Sequence, residues 1–515
     1  MSEPKRPAES RTEGRPLGGL VRHSAIYTAA PLLRQLISVG MTRFYTGWLG
    51  VAAYGIKEIT DLWMIGLQQL LGQNALGAMV RFYFDHRDPD ERARVITSST
   101  IAVTILAWVF AGLALLVSGD LTPLMLGRGE EVTEAELVTI LRLVLILIPL
   151  QLSTLAGFYY LQVLKRSGLY TTVQTAKLLF EVGLNFWLIG ALGLGVRGFL
   201  LSMLAGEAIT SLALTGWMLT TLKPRIDWSV LKPILIYALP LVPVGLCQFG
   251  LHQLDKRLLL HFAEEGVAQA TTGIYGLGYK IGYLVNAMLV GSFMQIWQPW
   301  IFDVRDPEER AVLVRRISSY AVIVFAVISL GVILFGYEAV FVLDGDGRFR
   351  EAYRVVPLVA TGYVFWGVYQ VAHIPLLIAK RTGRLLLINF VALAANVGLN
   401  VVLIPLYGFV GAGIATLVTF ALLAALIMAQ CRTVAGVSFE VGRIASVFAC
   451  VLVACAAAWW IDGSLLRELQ WPWVGVLPIK VAVLAALEAF IWRALLTPEE
   501  RSELSGWIRG ILAKR

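Results

Sequence analysis

One charged phrase occurs twice in this chain. Phe84-Asp85-His86-Arg87-Asp88-Pro89-Asp90-Glu91-Arg92-Ala93 returns in the second half as Phe302-Asp303-Val304-Arg305-Asp306-Pro307-Glu308-Glu309-Arg310-Ala311, and each copy lies between two long apolar segments. Lys165-Arg166-Ser167-Gly168 likewise returns, at almost the same interval, as Lys380-Arg381-Thr382-Gly383, and Val-Gly-Leu-Asn follows both at the same distance, at 182–185 and 397–400. Loops repeated at a near-constant spacing imply two homologous lobes in the same orientation. A duplicated set of apolar segments is the architecture of a carrier.

The segments belong in lipid. The chain is 57% apolar and 15% charged, with a mean hydropathy of +0.72, and its apolar residues come in blocks of roughly 20, enough for an α-helix to cross a bilayer. The expected fold class is all-α and polytopic, with about fourteen transmembrane helices. Six fall in each lobe and a pair follows. The divisions are a disordered cytoplasmic tail at 1–23, an N-terminal lobe at 24–222, a C-terminal lobe at 223–432, and a terminal helix pair with a tail at 433–515. Lys and Arg in the loops divide 28 against 11 in favour of the side holding both termini. Basic loops stay cytoplasmic, so the expectation is a multi-pass inner-membrane protein with both termini inside. Lys57, Lys256, Arg257 and Lys480 are placed on the outer side in that division. The net charge of +8 then faces anionic membrane lipids, not nucleic acid.

Enzyme chemistry finds no place to reside. The longest outer loop, about 119–136, carries acids but no paired catalytic constellation, and no Walker A sequence is present. Four cysteines lie in or beside apolar blocks without metal-ligand spacing. No cofactor and no metal are expected.

The repeated loop after Arg81-Phe82-Tyr83-Phe84, and Asn396-Val397-Gly398-Leu399-Asn400 leading to Ile404-Pro405-Leu406-Tyr407-Gly408 and Gly411-Ala412-Gly413, resemble the polysaccharide-biosynthesis flippases. These are the O-antigen (Wzx-type) branch of the multidrug/oligosaccharidyl-lipid/polysaccharide exporter superfamily. The resemblance spans roughly residues 20–500. It implies two six-helix lobes around a central cavity, with helices 1, 2, 7 and 8 at the gate. It also implies alternating-access movement of a polyprenyl-pyrophosphate-linked oligosaccharide for surface polysaccharide such as lipopolysaccharide O-antigen or exopolysaccharide.

On that frame the intramembrane charges become candidates, because a charge inside the bilayer faces a cavity or a partner. Arg34 on helix 1 and Lys280 on helix 8 lie at matching depth and suit phosphate oxygens. The alternative for Arg34 is a lobe-locking pair with Asp61 or Glu58 on helix 2. Those two acids are either ion-coupling groups, for a proton or sodium ion, or static partners. Lys256 and Arg257 at the outer end of helix 7, with Arg43 at the corresponding point of the first repeat, form an exit-side cationic lip or snorkel to the interface. Arg142 on helix 4 reaches the cavity or snorkels. Lys177 and Glu181 share a helix face, and with Glu207 make either an ion site or a structural knot. The rival readings are a lipid II flippase, a cation-coupled drug exporter, and a non-transporting scaffold in a polysaccharide polymerase complex.

Overall fold

The computed structural model describes residues 17–501 apart from 129–131, 165, 240, 264–266, 292, 295–296, 298–300, 302–303, 305, 346, 380, 435–438, 469–472 and 499–500. Side chains are described from residue 37 onward, less those of 167, 307, 382, 434, 466–468 and 473–474. The described residues are nearly all helical and contain no strand. The chain is an all-α, polytopic membrane protein.

Fourteen rods follow in order among the described residues. The first half contains α1 (17–49), α2 (51–85), α3 (Pro89–Leu116), α4 (Glu134–Val163), α5 (167–191) and α6 (Gly195–Leu222). The second contains α7 (Trp228–Ala238 with Leu241–Phe262), α8 (268–290), α9 (Pro307–Leu334), α10 (356–378), α11 (382–407) and α12 (409–434). Two more, α13 (441–468) and α14 (473–495), close the chain. Among the described residues eight helical stretches, counting α11 and α12 as one, are long and apolar enough to cross a membrane on their own. α2, α5 and α8 fall outside that set, and they carry Lys57, Lys177 and Lys280.

The repeated loop has one local structure in both copies. Asp88 caps α3 by accepting from the amide of Glu91 at 3.1 Å, and Asp306 caps α9 by accepting from Glu308 at 3.2 Å. Pro89 and Pro307 occupy the first helical turn, where the missing N–H costs nothing. Arg92 Nε donates to the His86 carbonyl at 2.8 Å, and Arg310 Nε donates to that of Val304 at 3.0 Å. A second recurrence is conformational. Gly193 ends α5 with φ of 66°, and Gly408, at the interval that separates the two Lys-Arg loops, divides α11 from α12 with φ of 57°. Only glycine enters this left-handed region freely.

A short helix also follows the third rod of each half, Ser118–Leu126 after α3 and Gly336–Leu343 after α9. Both lie at the end of the molecule where α1 turns into α2. There the start of α2 and the start of α8 meet backbone to backbone. A Cβ on Gly55 would stand 1.9 Å from the Gln269 carbonyl oxygen, and one on Gly273 would stand 2.3 Å from that of Val51. The two halves are sealed together at this end. Two large apolar cores hold the helices: one lies within the second half and the terminal pair, and the other is built mainly from the first half but takes in Leu260, Leu277, Phe349 and Tyr353 of the second.

The terminal pair packs on the second half. Phe448 of α13 stacks on Phe365 of α10 with ring centroids 3.5 Å apart. Lys480 of α14, fully buried, reaches Asp462 of α13 at 2.6 Å and Glu338 of the second short helix at 2.7 Å. This corrects the placement of Lys480 in an outer loop. A buried cation needs partners, and two acids supply them.

Candidate functional site: a charged cavity between the halves

A cavity of about 530 Å³ opens beneath the seal. α1, α2, α5 and α6 wall it on one side, and α7 and α8 on the other. Its floor of charge starts with three residues of α2. Lys57, Glu58 and Asp61 lie within about one helical turn of each other, and Lys57 Nζ is 2.6 Å from Asp61 and 3.3 Å from Glu58. From α7, Lys256 crosses between the halves to Glu58 at 2.7 Å. Lys57 and Lys256 are each 5% exposed. Their ammonium groups also lie over rings, Lys57 over Phe199 at 5.1 Å and Lys256 over Tyr279 at 5.5 Å, which offsets part of the cost of taking them out of water.

Lys280 is different. It lines the cavity and donates to the Ser38 carbonyl of α1 at 3.3 Å. Among the described residues no carboxylate pairs with it. The cluster therefore holds three lysines and two acids, and Lys280 is the surplus positive charge facing the water-accessible space.

The first half holds the opposite imbalance. Lys177 of α5 is 2.5 Å from Glu207 of α6 and 3.6 Å from Glu181. Glu181 also lines the cavity, so this group of one lysine and two acids adjoins the central space. Nearby, Asn185 Nδ2 donates to the Tyr45 hydroxyl at 2.8 Å, and the Ser202 hydroxyl donates to Asn185 Oδ1 at 2.6 Å. That chain of bonds fixes α1, α5 and α6 around the cavity wall. In the second half, Asp255 is 1% exposed. It accepts from the Tyr275 hydroxyl, from the Thr416 hydroxyl at 3.4 Å, and from the Lys256 amide at 2.8 Å.

The structure brings together Lys280, Lys256, Glu58, Asp61 and Glu181 on the cavity, with Lys177 and Glu207 directly behind. Lys256 is no outer-face lip residue, because α7 continues to Phe262 and carries it below the seal. Lys57 likewise belongs to the interior, since the break between α1 and α2 falls at Gly50. Asp61 and Glu58 take Lys57 and Lys256 as partners. The side chain of Arg34 lies outside the described residues; its backbone is in α1, one turn before Ser38. Arg142 is not a cavity residue: its Nε donates to the Ser118 hydroxyl at 3.0 Å. Arg257 points away from the cavity and donates to the Leu124 carbonyl at 2.7 Å. The sequence reading missed Lys57, Tyr45, Asn185 and Tyr279 as wall residues. Lys57 had a signal, a base four residues before Asp61 on a helix.

No protein-family model matches the sequence, and no curated protein matches it. Solved structures match in fold. The chain is similar to a lipid II flippase MurJ in an inward closed conformation, at a TM-score of 0.67 and 11% identity, over 92% of this chain and 100% of that one. It is similar to an inward-facing multidrug resistance MATE family transporter of the MOP superfamily, at 0.63 and 16%, over 82% and 98%. It also matches a Vibrio cholerae MATE transporter at 0.56 and 16%, over 81% and 98%. These neighbours are transporters, not enzymes, and the fold of this chain is the one they share.

Proposed function

We propose that this chain is a flippase that moves a polyprenyl-pyrophosphate-linked oligosaccharide across the cytoplasmic membrane by alternating access, for the synthesis of a cell-surface polysaccharide. The observation that carries the reading is Lys280, a cation without a carboxylate partner among the described residues, facing a cavity between two halves. A pyrophosphate is the anion such a charge suits, and Arg34, one turn from Ser38, is the second cation proposed for it. Lys256 contributes to the same positive field while its charge is held by Glu58.

The loop cations support a cytoplasmic location for both termini, which makes the sealed end the outer one and this conformation inward-facing. Lys177, Glu181 and Glu207 are the proposed proton or sodium coupling site. Glu58 and Asp61 serve instead as counter-charges to lysine. The head group enters from the cytoplasm, the lipid tail stays in the bilayer, and an outer-face polymerase consumes the product.

A second reading is a lipid II flippase. The similarity to MurJ favours it, because that match extends over 92% of the chain while the MATE matches cover 81–84%. Complementation with the full chain separates the readings. In a strain lacking its O-antigen flippase it restores surface polysaccharide, and in one depleted of its lipid II flippase it does not restore growth. Rescue of the second strain alone selects lipid II, and raised drug resistance with neither rescue selects an exporter.

A further inference from the structure

Arg43 and Arg257 are related by nearly the interval of the sequence repeat, and each does the same thing to the opposite half. Arg43 of α1 donates through Nη1 to the carbonyl of Val342 at 2.5 Å. Arg257 of α7 donates through Nη2 to the carbonyl of Leu124 at 2.7 Å. The acceptors are related by the interval of the repeated charged phrase and lie in the last turns of the two short helices, Ser118–Leu126 and Gly336–Leu343. The final carbonyls of a helix lack intrahelical partners and carry the negative end of its dipole, so a guanidinium is the complementary cap.

Each contact has a neighbour of the same sense. The Thr46 hydroxyl of α1 donates to the Leu343 carbonyl at 2.6 Å and accepts from the Gly345 amide at 3.1 Å. Gln269 of α8 donates through Nε2 to the carbonyls of Leu126 and Arg128, each at 3.2 Å. All of these bonds run between halves and all sit at the sealed end, beside the Gly55 and Gly273 approach. Among the described residues neither arginine is engaged by a carboxylate.

We infer that Arg43 and Arg257 are the paired latches of the outer gate: each holds the opposite half's short helix by its terminal carbonyl, and both must release before the cavity opens at this end. The arginines thus act on conformation and not on the substrate. This inference rests on the alternating-access reading above. A backbone acceptor suits a latch, because it asks only for helix geometry and carries no competing charge. Two equivalent latches on one gate each contribute to the seal, so breaking either alone leaves the other engaged.

The test uses the full chain in membranes with Ile65→Cys on the cavity wall; the native cysteines are all buried, and the chain without Ile65→Cys gives the background. A membrane-impermeant maleimide is applied from each face in turn. Removing one charge-assisted hydrogen bond shifts the sealed-to-open ratio by roughly tenfold, and removing two independent ones by about a hundredfold. Arg43→Ala and Arg257→Ala are therefore expected to raise labelling from the short-helix face in that progression while labelling from the opposite face falls. Lysine at either position keeps a donor and gives a smaller shift. An unchanged ratio in the double variant overturns the latch, and so does faster labelling from both faces together, which is a loosened fold. A parent chain that never labels from the short-helix face, under any condition that supports rescue, overturns the carrier reading and this inference with it.

Discussion

The two charged groups beside the cavity differ in sign. Lys57, Glu58, Asp61, Lys256 and Lys280 leave one positive charge over, and Lys177, Glu181 and Glu207 leave one negative charge over. They differ also in where the surplus stands. The positive surplus is Lys280, which faces the cavity. The negative surplus is shared between Glu181 on the wall and Glu207, 5% exposed, behind it. A surplus cation on the cavity wall can meet an anionic head group, whereas a negative surplus divided between Glu181 on the wall and Glu207 behind it suits a proton or a small cation. On the proposed reading, one group meets the cargo and the other the coupling ion.

The largest expected effect comes from breaking a pair within the first group. Lys256→Ala takes the nearest cation away from Glu58 and leaves Lys57, at 3.3 Å, as its ion-pair partner, and removing one member of a buried pair costs about 3–5 kcal/mol. Thermal unfolding of the detergent-purified chain should show that loss, and adding Glu58→Gln should recover most of it. If Lys256→Ala is neutral, the pair does not hold the halves together.

Lys177→Met probes the second group. It leaves two acids facing each other on α5 and α6, and the predicted loss of stability is smaller, about 2–3 kcal/mol, because Glu181 retains access to the cavity. Transport should lose its dependence on the coupling ion while substrate binding persists. Loss of substrate binding instead would merge the two groups into one site.

The smallest effect lies outside the membrane. Hydrogen bonds from Ser229, and then Arg94 at 3.2 Å, hold the Asp227 carboxyl below the usual carboxylate range. A depressed carboxyl contributes at neutral pH and loses its contribution as pH falls through its folded value. Asp227→Asn should therefore lower the melting temperature slightly at neutral pH, with the difference from the parent vanishing in acid, and should leave transport unchanged. A transport defect would place the linker between the halves inside the mechanism.

Much of the fold was legible because its punctuation is chemical. Asp88 and Asp306 with their prolines sit where backbone geometry restricts the residue, so the duplication survives in the sequence there; the Gly193 and Gly408 recurrence shows only in their backbone angles. Lys177 and Glu181 were legible as a pair because they are one helical turn apart. Lys57, Lys256 and Lys480 look like outer-loop cations in sequence for an equally physical reason. Each lies near the end of an apolar block, and a charge there looks the same in sequence whether it meets water or a buried acid. For two of them a partner that decides the matter is remote, 198 residues away for Lys256 and 142 for Lys480, whereas the partners of Lys57 are its helix neighbours Glu58 and Asp61. Arg257 is similar, since its acceptor is a main-chain carbonyl and leaves no trace in residue type.

Lys280 tests the central claim most directly, because neutralising it strands no described acid and should cost the fold little. Purified parent, Lys280→Ala and Lys280→Arg chains would be reconstituted in vesicles, and the flipping of a polyprenyl-pyrophosphate-linked oligosaccharide measured alongside thermal unfolding. The account predicts an unchanged melting temperature for Lys280→Ala with flipping reduced at least tenfold, and partial activity for Lys280→Arg. Flipping by Lys280→Ala at the parent rate would contradict it.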